Sequence, residues 1–356
     1  MLHVGAGLQS HRFFETIDLV ILTSHGERSY DPPESVRVVE INAPRLVRGI
    51  HPLSNHLRVT RPDAVLAAGE PANIVTLLAS RLARSKAKTV LSVHTHVSVD
   101  AANLHLHGIP LRLRLIPRLV RYLYPIADSI VAVSEGVARD LTEHFGIESR
   151  CIKVIHNPVL ESQIDAERGT AVDHPWLTKP RTTPVFLAAG RLVPQKDFPT
   201  LLRAFKLVRR EIDARLIVLG QGPLHDELVK LGATLGISDT ISFPGFVRNP
   251  YAWMSQADVF VLSSAWEGFG NVLVEALACG TPVVSTDCPS GPAEILRGGE
   301  IGPLVPVGDV GSMAEALISV LRTPPSAEKL RARARDFSLD VISHQYGSLL
   351  YGLCDG

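Results

Sequence analysis

The chain has 356 residues, 46% hydrophobic and 20% charged, with Lys+Arg and Asp+Glu both at 36 and a formal charge of +0. That length and balance fit two ordinary globular domains able to bury large cores. A neutral total speaks against a generally basic nucleic-acid binder, so no nucleic acid is expected as a partner. The four cysteines, Cys151, Cys279, Cys288 and Cys354, form no C-x-x-C pair and no zinc spacing with histidine, and are read as reduced structural thiols. The first residues carry no apolar core of signal-peptide length, and no run approaches the ~18 apolar residues of a membrane span. The expectation is a cytoplasmic protein, at most resting on a membrane face.

Short β-branched runs alternate with helical patterns along the first half. Strands are expected at Asp18–Leu22, Val36–Ile41, Ala64–Ala68, Thr89–Val93, Ser129–Val133 and Lys153–Ile155. Between them lie amphipathic stretches such as Pro71–Arg84, where Ile74, Leu77, Leu78 and Leu82 repeat at helical spacing. In Leu111–Tyr124, Arg112, Arg114, Arg118 and Arg121 alternate with leucines and aromatics. Two readings stay open there: a basic stretch lying on an anionic membrane surface, or a surface helix bent or ended by Pro117. Residues 161–184 are polar, carry Gly169, Pro175, Pro180 and Pro184, and are expected to be a linker.

The second half repeats the alternation. Its expected strands are Val185–Ala189, Arg215–Leu219, Thr240–Phe243, Asp258–Leu262, Pro282–Ser285 and Leu304–Val305. Its helical patterns fall at Thr200–Glu211, Leu224–Leu235, Asn271–Ala278 and Val310–Leu321. Strands without polar alternation, separated by helices, imply parallel sheets covered on both faces. The fold class is therefore α/β, a doubly wound fold used twice. The domains are expected at 1–160 and 185–338, with a last helical segment, 339–356, returning to the first domain.

Glu267–Glu275 reads EGFGNVLVE and follows the strand Asp258–Leu262. Glu267 lies in the loop and Glu275 in the second turn of the next helix, at the strand's carboxyl end, where open α/β sheets bind ligands. Gly268 and Gly270 let backbone N–H groups approach a phosphate, and the helix N-terminus favours an anion. The apolar neighbours of Glu275, Val272, Leu273, Val274, Ala276, Leu277 and Ala278, leave little room for a merely solvated carboxylate. In GRLVPQKDF, Arg191 and Lys196 stand after the domain's first strand, as two cations able to stabilise a leaving diphosphate without a metal, or as two surface charges. In GFVRN, backbone groups at Phe246 and Val247 can pair with a nucleobase edge, while Arg248 sits beside the base or faces water.

GRLVPQKDF, together with GFVRNPYAWMSQADVFVLSSAWEGFGNVLVEALACGTPVVSTDCPSGPAEIL, resembles the retaining glycosyltransferases of family 4, which have the GT-B architecture of two Rossmann-like domains facing a cleft. The resemblance implies that Glu275 binds ribose, Glu267 contacts the donor sugar, and Arg191 and Lys196 hold the diphosphate. With them it places Gly268, Phe269, Gly270 and Asn271 around the donor. DSIVAVSEGVARDL, KVIHNPV and LSVHTHVS resemble the family's N-domain, with His94 as the histidine near the reacting sugar and His96 as the alternative. CPSGPAEIL resembles members that extend lipid-linked or capsular glycans. The implied activity is transfer of a hexose or N-acetylhexosamine from a nucleotide sugar, a UDP-sugar first, with retention. No cofactor and no metal are expected. The implied partners are the donor and a glycan or lipid-linked acceptor, with peripheral membrane contact.

The family opens with a strand, a glycine-rich loop and a long helix. MLHVGAGLQSHRFFETI is too short and too polar to supply them, so the N-domain is expected to lack that first unit, with Gly5 and Gly7 as a loop remnant or a coincidence. Three other readings stand beside the transferase. A sugar-nucleotide epimerase of the same fold would turn over without acceptor. A dehydrogenase would want G-x-G-x-x-G after a first strand, which neither Gly190 nor Gly5 and Gly7 supply. A catalytically impaired protein would bind the nucleotide and transfer nothing.

Overall fold

The computed structural model describes residues 2–23, 36–104, 115–178 and 180–355. The chain forms two compact units, one of residues 1–158 and 339–356, the other of Val159–Ser338.

The first unit runs α1 (Leu2–Ser10), β1 (Asp18–Ile21), β2 (Arg37–Glu40), α2 (Ile50–Thr60), β3 (Ala64–Ala68), α3 (Glu70–Ala83), β4 (Lys88–Val93), α4 (Val97–Leu104), α5 (Ile116–Leu123), β5 (Ser129–Ala132), α6 (Glu135–Phe145) and β6 (Ile152–Val154). The C-terminal helix (Leu339–Asp355) belongs to it. Its strands are parallel but fall into two sheets, β1-β2 and β3-β4-β5-β6. One face of the larger sheet packs Val90 and Val131 against Val4 and Leu8 of α1 and Ile342, Tyr346 and Leu350 of the C-terminal helix. A second cluster joins Leu53 and Leu57 of α2 to Val75 and Ala79 of α3, with Val20 and Val65 packed against it.

Two expectations are corrected here. Residues 2–10 form a helix although the stretch reads as short and polar, because Val4 and Leu8 find apolar partners on the C-terminal helix. Tertiary burial outweighs weak local preference. Gly5 and Gly7 lie inside that helix and are no loop, and Gly7 sits against Ser343 where a side chain would collide. Pro117 lies in the first turn of α5, a position that proline tolerates, so it begins the helix and does not bend it. Arg112 and Arg114 lie outside the described residues.

The second unit runs α7 (Glu161–Glu167), β7 (Val185–Ala189), α8 (Phe198–Glu211), β8 (Arg215–Leu219), α9 (His225–Leu235), β9 (Ile241–Gly245), α10 (Pro250–Gln256), β10 (Val259–Leu262), α11 (Asn271–Cys279), β11 (Val283–Thr286), α12 (Pro292–Ile295), β12 (Leu304–Val305), α13 (Val310–Arg322) and α14 (Ala327–Arg335). Six parallel strands form one sheet in the order β12-β11-β10-β7-β8-β9. Its core gathers Phe186, Leu216 and Val218 with Phe205 of α8 and Met313 and Leu317 of α13.

The expected linker is built into this unit. Ile164 of α7 is buried, Asn249 donates to the Glu167 carbonyl at 3.0 Å, and Ser255 donates to the Arg168 carbonyl at 2.6 Å. Four apolar residues in a polar stretch, Ile164, Val172, Trp176 and Leu177, were signal enough for docking, but they lack a helical period.

Candidate active site

The order of the second sheet puts its switch point between β7 and β10. The chain winds outward through β8 and β9 on one side and through β11 and β12 on the other. The loops that leave the carboxyl ends of β7 and β10 therefore stand side by side at the usual ligand position of such sheets. Those two loops carry Arg191–Lys196 and Glu267–Gly270.

A hydrogen-bond clasp ties them together. Lys196 Nζ donates to Glu267 Oε1 at 2.5 Å, and Ser264 Oγ donates to the same oxygen at 2.7 Å. Ser263 Oγ donates to the Lys196 carbonyl at 2.7 Å, and Gln195 Nε2 to the Trp266 carbonyl at 3.0 Å. The Ala265 N–H returns a bond to the Gln195 carbonyl at 2.8 Å. Glu267 is 6% exposed, so its charge is held by these donors more than by water. Arg191 is exposed, and no ion pair holds it among the described residues. The two cations thus differ: Lys196 is already paired, and Arg191 is available. Lys196 caps nothing, since Asp197 accepts from the Thr200 N–H at the start of α8.

Glycines set the backbone beneath the site. Gly270, at φ 100, begins α11, and Gly291, at φ 91, lies so close to the Phe269 carbonyl that any Cβ would overlap it. Gly220 and Gly222 fit likewise beneath the carbonyls of Gly190 and Leu192. The Leu192 N–H donates to the Gln221 carbonyl at 2.9 Å. The sequence reading missed this Gly220–Gln221–Gly222 turn and the Ser263–Ser264 pair. The signal for the first was two glycines bracketing one residue directly after a strand.

Glu275 stands in the second turn of α11, half-buried, and burial raises its carboxyl to about 7. Asn271 is exposed at the helix start and Gly268 is buried. The Phe269 ring faces the interior, 2% exposed and edge-on to Phe337 at 5.4 Å, so only its backbone is left to meet a ligand. Phe246 is 68% exposed just past β9, Val247 is half-buried, and Arg248 is exposed. The thiol of Cys288 is pushed up to about 12, first by burial and then by the charge of Glu267.

His94 belongs to the first unit, directly after β4. Its Nε2 lies 3.0 Å from Ser92 Oγ, which in turn meets the Tyr346 hydroxyl at 3.1 Å. Burial lowers its pKa to about 4, so the ring is neutral at pH 7. His96 is engaged elsewhere, 3.4 Å from the buried carboxylate of Asp140, which also meets His144 at 3.2 Å. Beside His94, Thr95 donates to Glu70 at 3.2 Å, and burial raises the Glu70 carboxyl. Glu70 was not singled out in the sequence, because it reads as an ordinary acidic residue in a helix's first turn.

Two sequence models of known families match the chain, "Glycosyltransferase Family 4" over residues 12–162 and "Glycosyl transferases group 1" over 171–337. The chain is 33% identical over 237 residues to an N-acetylgalactosamine-N,N'-diacetylbacillosaminyl-diphospho-undecaprenol 4-alpha-N-acetylgalactosaminyltransferase of Campylobacter jejuni, covering 65% of this chain and 62% of that protein. It is 35% identical over 228 residues to the lipopolysaccharide core biosynthesis glycosyltransferase LpsE of Rhizobium meliloti, covering 63% and 64%. The match thus spans less than two thirds of either relative's own length. Among solved structures, the apo form of the lipopolysaccharide outer core galactosyltransferase WaaB superposes with a TM-score of 0.74 at 19% identity, over 99% of this chain and 94% of that one. HepE of Anabaena in complex with UDP gives 0.69 at 22%, over 89% and 87%. These likenesses show a shared fold, the GT-B fold of two α/β units with parallel sheets.

Proposed function

We propose that this chain, whose two halves match the glycosyltransferase models of family 4 and group 1, moves a hexose or N-acetylhexosamine from a UDP-sugar to a lipid-linked or lipopolysaccharide glycan, with retention at the anomeric carbon. The observation that carries this reading is the Lys196–Glu267 clasp across the switch point of the second sheet.

In the reading, the donor's diphosphate lies against Arg191, Lys196 and the backbone of Gly268–Asn271. As the bond from sugar to phosphate breaks, negative charge grows on the diphosphate. Fixed cations and N–H groups stabilise that charge, so the reading calls for no metal. Lys196 then shares its charge between the phosphate and Glu267, and Ser264 keeps Glu267 in place to orient the sugar. Glu275 accepts the ribose hydroxyls. Phe246 and Val247 meet the base. The acceptor is assigned to the first unit, where neutral His94 bonds a sugar hydroxyl, and the leaving diphosphate takes the acceptor's proton.

Among the described residues no helix is long and apolar enough to cross a membrane. α5 presents exposed Arg118 and Arg121 beside Leu119 and Tyr122, the latter 73% exposed. A basic face with apolar side chains suits an anionic membrane surface and would bring the enzyme to lipid-linked acceptors. Co-sedimentation with phosphatidylglycerol vesicles, lost in Arg118→Glu/Arg121→Glu, checks that point, and retention by the charge-reversed variant removes it.

The transfer itself is tested by incubating UDP-glucose, UDP-galactose and their N-acetylated forms with undecaprenyl-diphosphate-linked oligosaccharides. The expected result is UDP release that depends on the acceptor and an α-linked product by NMR. UDP release that is equal without acceptor favours an epimerase or hydrolase. Binding without any release favours a protein that holds the nucleotide and transfers nothing.

A further inference from the structure

In the first unit, Tyr346, Ser92 and His94 form one continuous chain of polar side chains. Val90 and Ser92 of β4 stand two positions apart and so share a face of the sheet. Val90 packs there against Ile342, Tyr346 and Leu350 of the C-terminal helix. The Tyr346 hydroxyl reaches Ser92 Oγ at 3.1 Å, and the same oxygen lies 3.0 Å from His94 Nε2. Ser92 is 0% exposed and Tyr346 1%, so water does not stand in for a missing partner at either group. The backbone beneath is fixed as well. The Ser92 carbonyl accepts from the Gly69 N–H at 3.1 Å and from Asn73 Nδ2 at 3.0 Å.

The protons of that chain run only one way without stranding a donor. A phenol and a serine hydroxyl each carry one proton. Burial pushes the Tyr346 hydroxyl up to about 12, so it keeps its proton at neutral pH. Among the described residues its one partner is Ser92 Oγ. Tyr346 therefore donates to Ser92, and Ser92 donates to His94 Nε2. The reverse order, from an Nε2–H through Ser92 to Tyr346, would leave the buried phenol O–H without an acceptor, at the full desolvation penalty of that group. The His94 ring, held neutral by burial, then carries its proton on Nδ1. Its hydrogen bond to the Asn157 side chain falls to that nitrogen, since Nε2 is taken.

We propose that Ser92, aimed by Tyr346 of the C-terminal helix, is a positioning residue that holds His94 as its Nδ1–H tautomer with the ring's only lone pair occupied. His94 then meets a sugar as a donor alone. It gives a hydrogen bond to a sugar oxygen, sharing or taking over the one made to Asn157, and it has no free nitrogen with which to accept a proton. This role rests on the reading that His94 touches the sugar. It fits a reaction in which the leaving diphosphate, and not a histidine, takes the acceptor's proton. It also gives the C-terminal helix a part in the site, from a position 254 residues beyond Ser92.

Long-range proton–nitrogen correlation spectra of the full chain, isotope-labelled at histidine and assigned with His94→Gln, read the tautomer without substrate. The expected spectrum shows a protonated Nδ1 and a bare, hydrogen-bonded Nε2. Ser92→Ala is expected to shift both ring resonances towards the averaged values of a freely exchanging imidazole. Tyr346→Phe, which keeps the ring in the core, is expected to shift Nε2 the same way by less. Ser92→Ala should also lower kcat about five- to tenfold, the worth of one hydrogen bond, with UDP affinity unchanged. A protonated Nε2 in the unaltered protein overturns the proposal. So does a His94 ring whose resonances are the same in all three proteins. A ring that responds while transfer keeps its full rate removes His94 from the sugar, and overturns the positioning role together with the reading beneath it. Because the spectra need no turnover, they decide the tautomer even for a protein that transfers nothing.

Discussion

The two units are built on one winding scheme, yet only one is closed. In the second, β7 occupies the centre of a six-stranded sheet, and both of its edges are paired. In the first, the six strands of the described residues are split between a pair and a four-stranded sheet, and β1 and β3 both line a cavity of about 880 Å³. The difference separates two things that a parallel sheet does. Helices on both faces are enough to position strands, as α1, α2, α3 and the C-terminal helix do around the cavity. In the second unit β7, paired on both edges, joins the two halves of the sheet and carries the Arg191–Lys196 loop to the switch point.

The contrast can be broken most sharply at Gly291. Its φ of 91 and its contact with the Phe269 carbonyl leave no room for a Cβ. Gly291→Ala should destabilise the second unit by ~3 kcal/mol or more, read by chemical denaturation. Gly69, also at positive φ but with nothing near an added Cβ, should tolerate alanine at ~1–2 kcal/mol. Equal losses at the two positions would mean that the close approach at Gly291 is relaxed in solution.

Next in size is the clasp. Lys196→Ala leaves Glu267 buried with one fewer donor and should cost ~3 kcal/mol in stability and ~10²–10³ in transfer rate. A stability loss without a rate loss would reduce Lys196 to a structural brace. Core truncations grade the units directly. Leu187→Ala in fully buried β7 should cost ~2–5 kcal/mol. Leu66→Ala in β3 should cost less, about 1–2 kcal/mol, because its side chain is only partly removed from water. A full-sized loss at Leu66 would show that β3 is as fully packed as β7.

The second unit should also show a pH dependence. Burial raises the Glu275 carboxyl from 4.5 to about 7. Between those values the folded protein binds more protons at this site than the unfolded chain does, so stability should fall as pH rises through that window. Melting curves from pH 4.5 to 7.5 should show the fall, and Glu275→Gln should flatten it. A slope that survives in the glutamine variant would assign it to another group.

Much of this was legible in the sequence where period and motif coincide. VFLAA, RLIVL and VFVL are continuous apolar runs, and they are central strands; EGFGNVLVE marks a strand-to-helix turn by its glycines. Strand order was not legible, so the sequence placed Lys196 and Glu267 at two strand ends without showing that those strands are neighbours. Contacts made over long separations were hidden too. Ile164 gains its burial from α10 and α11, and Val4 from a helix more than three hundred positions away, so α7 and α1 read as polar loops. Phe269 looked like a ligand contact because its motif neighbours do, whereas its ring packs on Phe337.

The central claim is that the second unit's switch point holds a nucleoside diphosphate. Calorimetric titration of the protein with UDP, GDP and ADP, repeated on Glu275→Ala, tests it most directly. Selective binding of UDP that weakens at least about tenfold, ~1.4 kcal/mol, in the variant is the predicted result. A folded protein that binds none of the three, or binds UDP equally well without Glu275, would contradict it.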